Sequence, residues 1–349
     1  VGHAHPEVVA AVEERLIRGS HFAQPTTEVA EVAAELSARF GLPLWRFGSS
    51  GTEATMDAVH LMRAHTGRDL IVKAEGAYHG HHDTVRAGLG VPHAMSALTL
   101  EVRWNDPDDV DRVLVEHGDR IAGVLIEPVV TACGLVPPVP GFLEHVREVT
   151  RSHGVLLAFD EVKTGLTVGP GGATTLLGVE PDLVCLAKSL GGGLPAGATG
   201  GTEEVMDQIV SGSYLQLGTF NGNPLSMAAT RAVLRVLDEK AYRHLDWLAE
   251  RIDVGLGQAI DAWELPARVA VLGARGSVTF RSEPVIEYRD FLEVDQRYHR
   301  AAWLHMYNRG VFLLPWGRGL QWLLSVQHDA ADADRFVEAF AGFGAALRG

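Results

Sequence analysis

The sequence predicts an α/β fold, a large domain built on a mainly parallel sheet followed by a smaller α+β domain. Three observations carry this. Four short runs are continuously apolar: Leu70-Ile71-Val72, Gly123-Val124-Leu125-Ile126, Val155-Leu156-Leu157-Ala158-Phe159 and Leu183-Val184-Cys185-Leu186-Ala187. Strands buried on both faces of a parallel sheet read this way. A helical stretch from Phe142 to His153, closed by Gly154, lies between two of them, and strand–helix–strand alternation gives parallel neighbours. After about Lys240 the glycine-rich loops thin out and the order of elements changes.

Taken in order, Thr27 to Phe40 predicts an amphipathic helix. Val29, Val32, Ala33, Leu36 and Phe40 share one face, and Gly41 supplies the stop. A second helix starts just after Gly51, with Ala54, Ala58, Leu61 and Met62 on its apolar side and Gly67 at its end. The four strands and the 142–153 helix follow. Beyond Lys240 the pattern predicts a helix, strands at Val269–Leu272 and Ser277–Phe280, and a helix from Val294 to Arg309. Strands at Val311–Leu314 and Trp322–Val326 and a last helix, Asp332 to Leu347, complete it. Domains are therefore expected at 1–239 and 240–349. The chain opens at Val1-Gly2-His3 without an initiator Met, so residues 1–25 are read as a link to an upstream segment.

The bulk properties narrow the function. The 349 residues carry a formal charge of −14, which repels nucleic acid overall, and no basic stripe offsets it. No apolar run approaches the roughly 20 residues a membrane helix needs. The two cysteines, Cys133 and Cys185, sit beside apolar runs and read as buried side chains in a reducing, cytoplasmic protein.

Three features carry chemistry. Asp160 ends a buried strand, where a carboxylate needs a nearby cation; alone it reads more commonly as a structural ion pair or cap. Lys188 follows the apolar run ending at Ala187 and precedes Gly191-Gly192-Gly193. A lysine at a buried strand end should have a depressed pKa and a nucleophilic amine, although alone it fits a lysine that snorkels to the surface. Phe47-Gly48-Ser49-Ser50-Gly51-Thr52-Glu53 leads into a helix. Small residues there offer backbone N–H groups and hydroxyls to an anion, or simply cap the helix. Together an anion cup, a strand-end acid and a strand-end lysine match what pyridoxal 5′-phosphate requires. The acid keeps the pyridine nitrogen protonated, the lysine forms an imine and shuttles a proton, and the cup anchors the phosphate.

Further stretches extend the pattern: Gly2-His3-Ala4-His5-Pro6, Ser50-Gly51-Thr52-Glu53-Ala54, Tyr78-His79-Gly80, Glu127-Pro128-Val129 and Phe159-Asp160-Glu161-Val162. They continue with Lys188-Ser189-Leu190-Gly191-Gly192-Gly193-Leu194-Pro195 and Gly218-Thr219 before Gly222-Asn223-Pro224. On these motifs the chain resembles the class III (ω-type) pyridoxal-phosphate-dependent aminotransferases along nearly its whole length. Within them it is most similar to the glutamate-1-semialdehyde 2,1-aminomutase branch. The resemblance implies the fold type I transferase architecture and a homodimer with its active site at the subunit interface. Lys188 would hold the cofactor covalently, Asp160 would pair with its ring nitrogen, and Val162 and Tyr78 would cover its two faces. Ser50, Gly51 and Thr52 would hold its phosphate, Thr219 would reach the phosphate of the neighbouring subunit, and Glu53 would sit near the cofactor on the substrate side.

The implied activity is a ping-pong exchange of an amino group between an amino donor and a keto acid or aldehyde. The alternatives are intramolecular exchange as in the aminomutase, a lyase or epimerase on the same scaffold, or a catalytically idle relative. Three departures bear on the aminomutase reading. Ala132 stands where that branch has an Asn, no carboxylate occurs in Pro315-Trp316-Gly317-Arg318-Gly319-Leu320, and the loop after Gly80 is short. Arg318 could grip a substrate carboxylate in a bidentate fork or lie on the surface of a glycine-rich turn. His79, His81 and His82 raise the question of a metal, but a site needs converging ligands and none is assigned. Lys163 is a rival for the imine, three residues from Asp160 and so judged too near the acid. Trp303 and Trp316 read as core or interface residues.

Overall fold

A computed structural model describes residues 1–86, 88–315 and 317–348; Trp316 lies outside the described residues. The chain divides into two compact units, one formed by Val1, residues 3–128 and 138–238, the other by Gly2, residues 129–137 and 239–349.

The first unit contains α1 (Pro6–Leu16), α2 (Thr27–Phe40), β1 (Leu44–Gly48), α3 (Gly51–Thr66), β2 (Leu70–Ala74), α4 (His93–Ser96), β3 (Thr99–Val102) and α5 (Pro107–His117). It continues with β4 (Ile121–Ile126), α6 (Phe142–Ser152), β5 (Leu156–Asp160), α7 (Gly172–Leu177), β6 (Leu183–Leu186), β7 (Gly197–Gly201), α8 (Glu203–Val210) and α9 (Pro224–Val236). Its seven strands form one sheet in the order β1-β7-β6-β5-β4-β2-β3. The β3–β2, β2–β4, β4–β5 and β5–β6 pairs are parallel, whereas β7 runs antiparallel to both its neighbours. The expected mainly parallel sheet is present, and the four apolar runs form its strands β2, β4, β5 and β6.

The helices explain themselves locally. Ala54, Ala58, Leu61 and Met62 of α3 are buried against the sheet with Ile71, Leu125, Ala158 and Leu183. Gly67 ends α3 at φ +68° and returns its N–H to the Arg63 carbonyl, a left-handed cap that glycine adopts without strain.

β7 is absent from the sequence expectation, because Gly-Ala-Thr-Gly-Gly has little strand propensity. Packing requires it nonetheless. A Cβ on Gly200 would meet the Trp45 ring at 2.6 Å, and one on Gly197 would meet the Ser50 carbonyl oxygen at 2.3 Å. The bare backbone at Gly197 thus lets the β1–α3 loop lie directly against β7.

The second unit contains α10 (Glu239–Ala262), β8 (Arg268–Leu272), β9 (Arg275–Thr279), α11 (Tyr288–Leu292), α12 (Gln296–Tyr307), β10 (Gly319–Leu323) and α13 (Ala330–Arg348), with the sheet order β10-β9-β8. Two expectations need correction. Val311–Leu314 forms no strand: the Val311 N–H closes the end of α12 on the Met306 carbonyl, and the Leu313 carbonyl accepts from Trp303 Nε1 at 2.8 Å. The strand expected at Trp322–Val326 starts earlier, at Gly319, because buried Leu320 and Trp322 alternate on one face. No helix among the described residues is long and apolar enough to cross a membrane, and both cysteines are buried and unpaired with each other.

Candidate active site

Parallel neighbours β5 and β6 are in register at Asp160 and Cys185, so Asp160 and Lys188 leave the sheet at the carboxyl ends of adjacent strands. Open α/β sheets bind ligands there. Lys188 opens a short 3-10 turn, Lys188–Gly191, at φ +44°, a left-handed conformation that costs a non-glycine residue about 1 kcal/mol. Such strain concentrates at functional sites.

Next to these strand ends, β1 runs into α3 through Ser49 and Ser50. Ser50 caps the helix, its Oγ accepting from the Glu53 N–H at 3.2 Å. Glu53 answers: its Oε2 accepts from the Ser49 N–H at 2.5 Å and from Ser50 Oγ at 3.2 Å. This pairing turns the Glu53 carboxylate onto the Ser49 N–H and the Ser50 hydroxyl, and the start of the helix still offers backbone N–H groups to an anion. A Cβ on Gly51 would meet Val162 at 2.8 Å, so only glycine keeps this wall open.

A cavity of about 310 Å³ joins the parts, lined by Ser49–Thr52, Tyr78–Gly80, Glu127, Asp160, Val162, Lys163, Ala187, Lys188 and 194–196. Seven expected residues meet here: Ser50, Gly51, Thr52, Tyr78, Asp160, Val162 and Lys188. Three do not. Glu53 folds back on the loop. Thr219 lies exposed between α8 and α9. Arg318 belongs to the second unit, where its Nη1 donates to the Leu292 carbonyl at 2.7 Å.

Where the sequence led us to expect a cation beside Asp160, the structure places a histidine. His79 Nδ1 lies 2.7 Å from Asp160 Oδ2, and the residues are 1% and 4% exposed. To pair with a carboxylate this nitrogen carries the proton. Asp160 Oδ1 accepts from the Val162 N–H at 2.9 Å, so both carboxylate oxygens are aimed by fixed donors. Gly80, at φ +104°, turns the chain after His79, and a Cβ there would meet Thr52 Oγ1 at 2.8 Å. The three histidines weighed as metal ligands have separate partners. His79 pairs with Asp160, His81 Nδ1 lies 3.2 Å from Thr52 Oγ1, and His82 Nε2 lies 3.5 Å from Thr55 Oγ1. Burial, and after it His60, His79, Arg63 and His81, push His82 down to about 4.

Sequence reasoning missed His79 as the partner of Asp160 and Lys163 as a cavity residue. The signal for His79 was present: a strand-end acid needs a buried donor, and the Tyr-His-Gly turn carries one. Lys163 was dismissed by its spacing from Asp160, yet it lines the same cavity.

The arrangement suits pyridoxal phosphate. It has hydroxyls and backbone N–H groups at a helix start, an oriented carboxylate, an amine on the adjacent strand end, and a volume at the lower end of the roughly 300–1,000 Å³ typical of small-molecule pockets.

Comparison with known proteins agrees. The family model for aminotransferase class III matches residues 1–341. Glutamate-1-semialdehyde 2,1-aminomutase 2 of Geobacillus thermodenitrificans (strain NG80-2) is 40% identical over 365 residues, covering 100% of this chain and 85% of that protein. Among solved structures, an omega-transaminase from Sphaerobacter thermophilus superposes with a TM-score of 0.94 at 33% identity, over 100% of this chain and 84% of the other. A transaminase solved with PLP bound gives 0.91 at 32%, over 99% and 84%. With its cavity at the strand ends and this likeness from end to end, the chain belongs to the class III aminotransferases.

Proposed function

We propose that this chain is a pyridoxal-phosphate-dependent transaminase that moves an amino group from an amino donor to a keto acid or aldehyde in two half-reactions. The observation that carries the reading is the convergence of Lys188, Asp160 and the Ser50-Gly51-Thr52 cup on one cavity. When bound, the cofactor supplies an aldehyde for covalent capture and a ring that withdraws electrons. Lys188 Nζ is the point of attachment and the base that moves the substrate proton. Asp160, aimed by His79 and the Val162 N–H, holds a proton at the ring nitrogen. Ser50, Gly51 and Thr52 bind the phosphate through hydroxyls and backbone N–H groups, while Val162 and Tyr78 flank the ring. Thr219 serves the cup of a second copy in a homodimer. The protein works in the cytoplasm.

On the substrate side, Glu53 shapes the cup loop, and Arg318 is the proposed carboxylate-binding residue, its guanidinium exchanging the Leu292 carbonyl and the Gln296 side-chain oxygen for the substrate carboxylate. Arg318→Ala then raises the KM of carboxylate substrates about tenfold. A fall in melting temperature with every KM unchanged assigns it to its own turn instead.

A second reading, intramolecular exchange, is favoured by the aminomutase relative. Ala132 and the carboxylate-free 315–320 segment weigh against it. A panel of donors and acceptors followed by cofactor absorbance decides. A transaminase bleaches with a donor and recovers only when a keto acid or aldehyde is added. An aminomutase converts its substrate without an external acceptor, and an idle relative is colourless. Lys188→Ala is the control.

A further inference from the structure

Thr219 lies in the 211–223 segment between α8 and α9, and that segment is held the reverse of the usual way. Its inward side chains are polar. The Tyr214 hydroxyl donates to Asp57 Oδ1 at 2.7 Å, and Gln216 Nε2 donates to Asp57 Oδ2 at 2.7 Å. Gln216 Nε2 also donates to the Phe47 carbonyl at 3.2 Å, and Gln216 Oε1 accepts from Arg46 Nε at 2.8 Å. His60 Nδ1 stands 3.1 Å from the Tyr214 hydroxyl. The outward side chains are apolar, with Leu215, Leu217 and Phe220 exposed by 68%, 82% and 61%.

Asp57 is buried and takes both its hydrogen bonds from neutral donors. A carboxylate in that position destabilises a fold unless its bonds are made. What it provides is register. In extended chain alternate residues face opposite ways, so two directional bonds to residues two apart fix which side chains point in. A slip of one residue would turn Leu215 and Leu217 inward and reverse the face on which Thr219 lies. Asp57 also shares α3 with the Ser50-Gly51-Thr52 cup.

We infer that Asp57 is a positioning residue acting across subunits: it sets the register of the 211–223 segment so that the exposed Leu215, Leu217 and Phe220 meet a second copy of this chain and Thr219 reaches that copy's cup. This rests on the proposed dimer. Each site then depends on its own Lys188 and on the partner subunit's Asp57.

Mixed dimers of differently tagged copies test it, with borohydride-trapped pyridoxyl label after dialysis as the readout. In the first arrangement Asp57→Leu and Lys188→Ala share one copy and the other is wild type. The one labelling site then takes its Thr219 from the altered copy, and cofactor retention falls about tenfold, the scale of a lost charge-assisted hydrogen bond. In the second arrangement the two substitutions are on opposite copies, and retention matches that of a wild-type/Lys188→Ala dimer. Loss only in the second arrangement assigns Asp57 to its own cup and overturns the inference, as does equal loss, or none, in both. Sedimentation of the holoenzyme separates the two levels. A dimer with the wrong pattern defeats the inference alone, and a monomer defeats the dimer and the inference with it. If Asp57→Leu does not fold, Gln216→Leu takes its place with the same expectation.

Discussion

Asp160 and Glu161 are adjacent carboxylates at the end of β5, and their surroundings differ in kind. Asp160 faces the cavity, aimed by His79 and the Val162 N–H. Glu161 faces the interior, fully enclosed. Its Oε1 accepts from the Thr174 N–H and hydroxyl at 2.7 and 2.6 Å, and its Oε2 from the Ala173 N–H and the Thr164 hydroxyl at 2.7 and 2.8 Å. Burial pushes the Glu161 carboxyl up, and these four donors pull it back. A strand end sends successive side chains to opposite sides, so one step along the chain separates an acid that faces the cavity from an acid that holds the turn to α7. Both are buried and both are oriented; what differs is whether space lies beyond the carboxylate.

The same chemical change at both positions sharpens this contrast. Asp160→Asn keeps shape and fold but removes the charge proposed to hold a proton at the ring nitrogen. Its kcat/KM should fall about a thousandfold at nearly unchanged melting temperature. Glu161→Gln turns an amide N–H₂ toward backbone donors and should cost about 2–3 kcal/mol of stability, read by urea unfolding, with activity per folded molecule retained. If the two losses exchange places, the contrast is wrong.

His79 gives a smaller effect. His79→Leu removes the donor to Asp160 Oδ2 and should weaken cofactor binding about tenfold, measured by tryptophan fluorescence on titrating the apoprotein. His79→Asn, whose amide can stand in for Nδ1–H, should recover most of it. Equal weakening by both variants would make His79 a packing residue.

The smallest effect is in pH. The folded value of His82, about 4, lies below its ordinary 6.5, so unfolding takes up a proton below pH 6.5. Stability from this group is complete above 6.5 and is lost as the pH falls toward 4, by about 1 kcal/mol after allowance for its partial exposure. His82→Gln should flatten the melting temperature across that window while leaving the cavity's activity largely intact.

What the sequence made legible follows from the range of each interaction. Apolar runs, helix faces and a serine- and glycine-rich turn before a helix are local patterns, and the sheet, α2, α3 and the cup could be read from them. Asp160 and Lys188 were legible because each follows an apolar run directly. The partners were not. His79 lies 81 positions from Asp160, and Tyr214 lies 157 from Asp57, distances that no periodicity spans. β7 was hidden for another reason: its glycines are set by what packs against them, Trp45 and the Ser50 carbonyl, and not by any preference of their own. Val311–Leu314 misled because β-branched and apolar residues fit a strand as well as the tail of α12.

Lys163 makes the identity of the attachment point a real contest, since both lysines line one cavity. Borohydride reduction of the holoenzyme followed by peptide mapping decides it. A pyridoxyl group on Lys188 is the result predicted here, and a label on Lys163, or none at all, would contradict it.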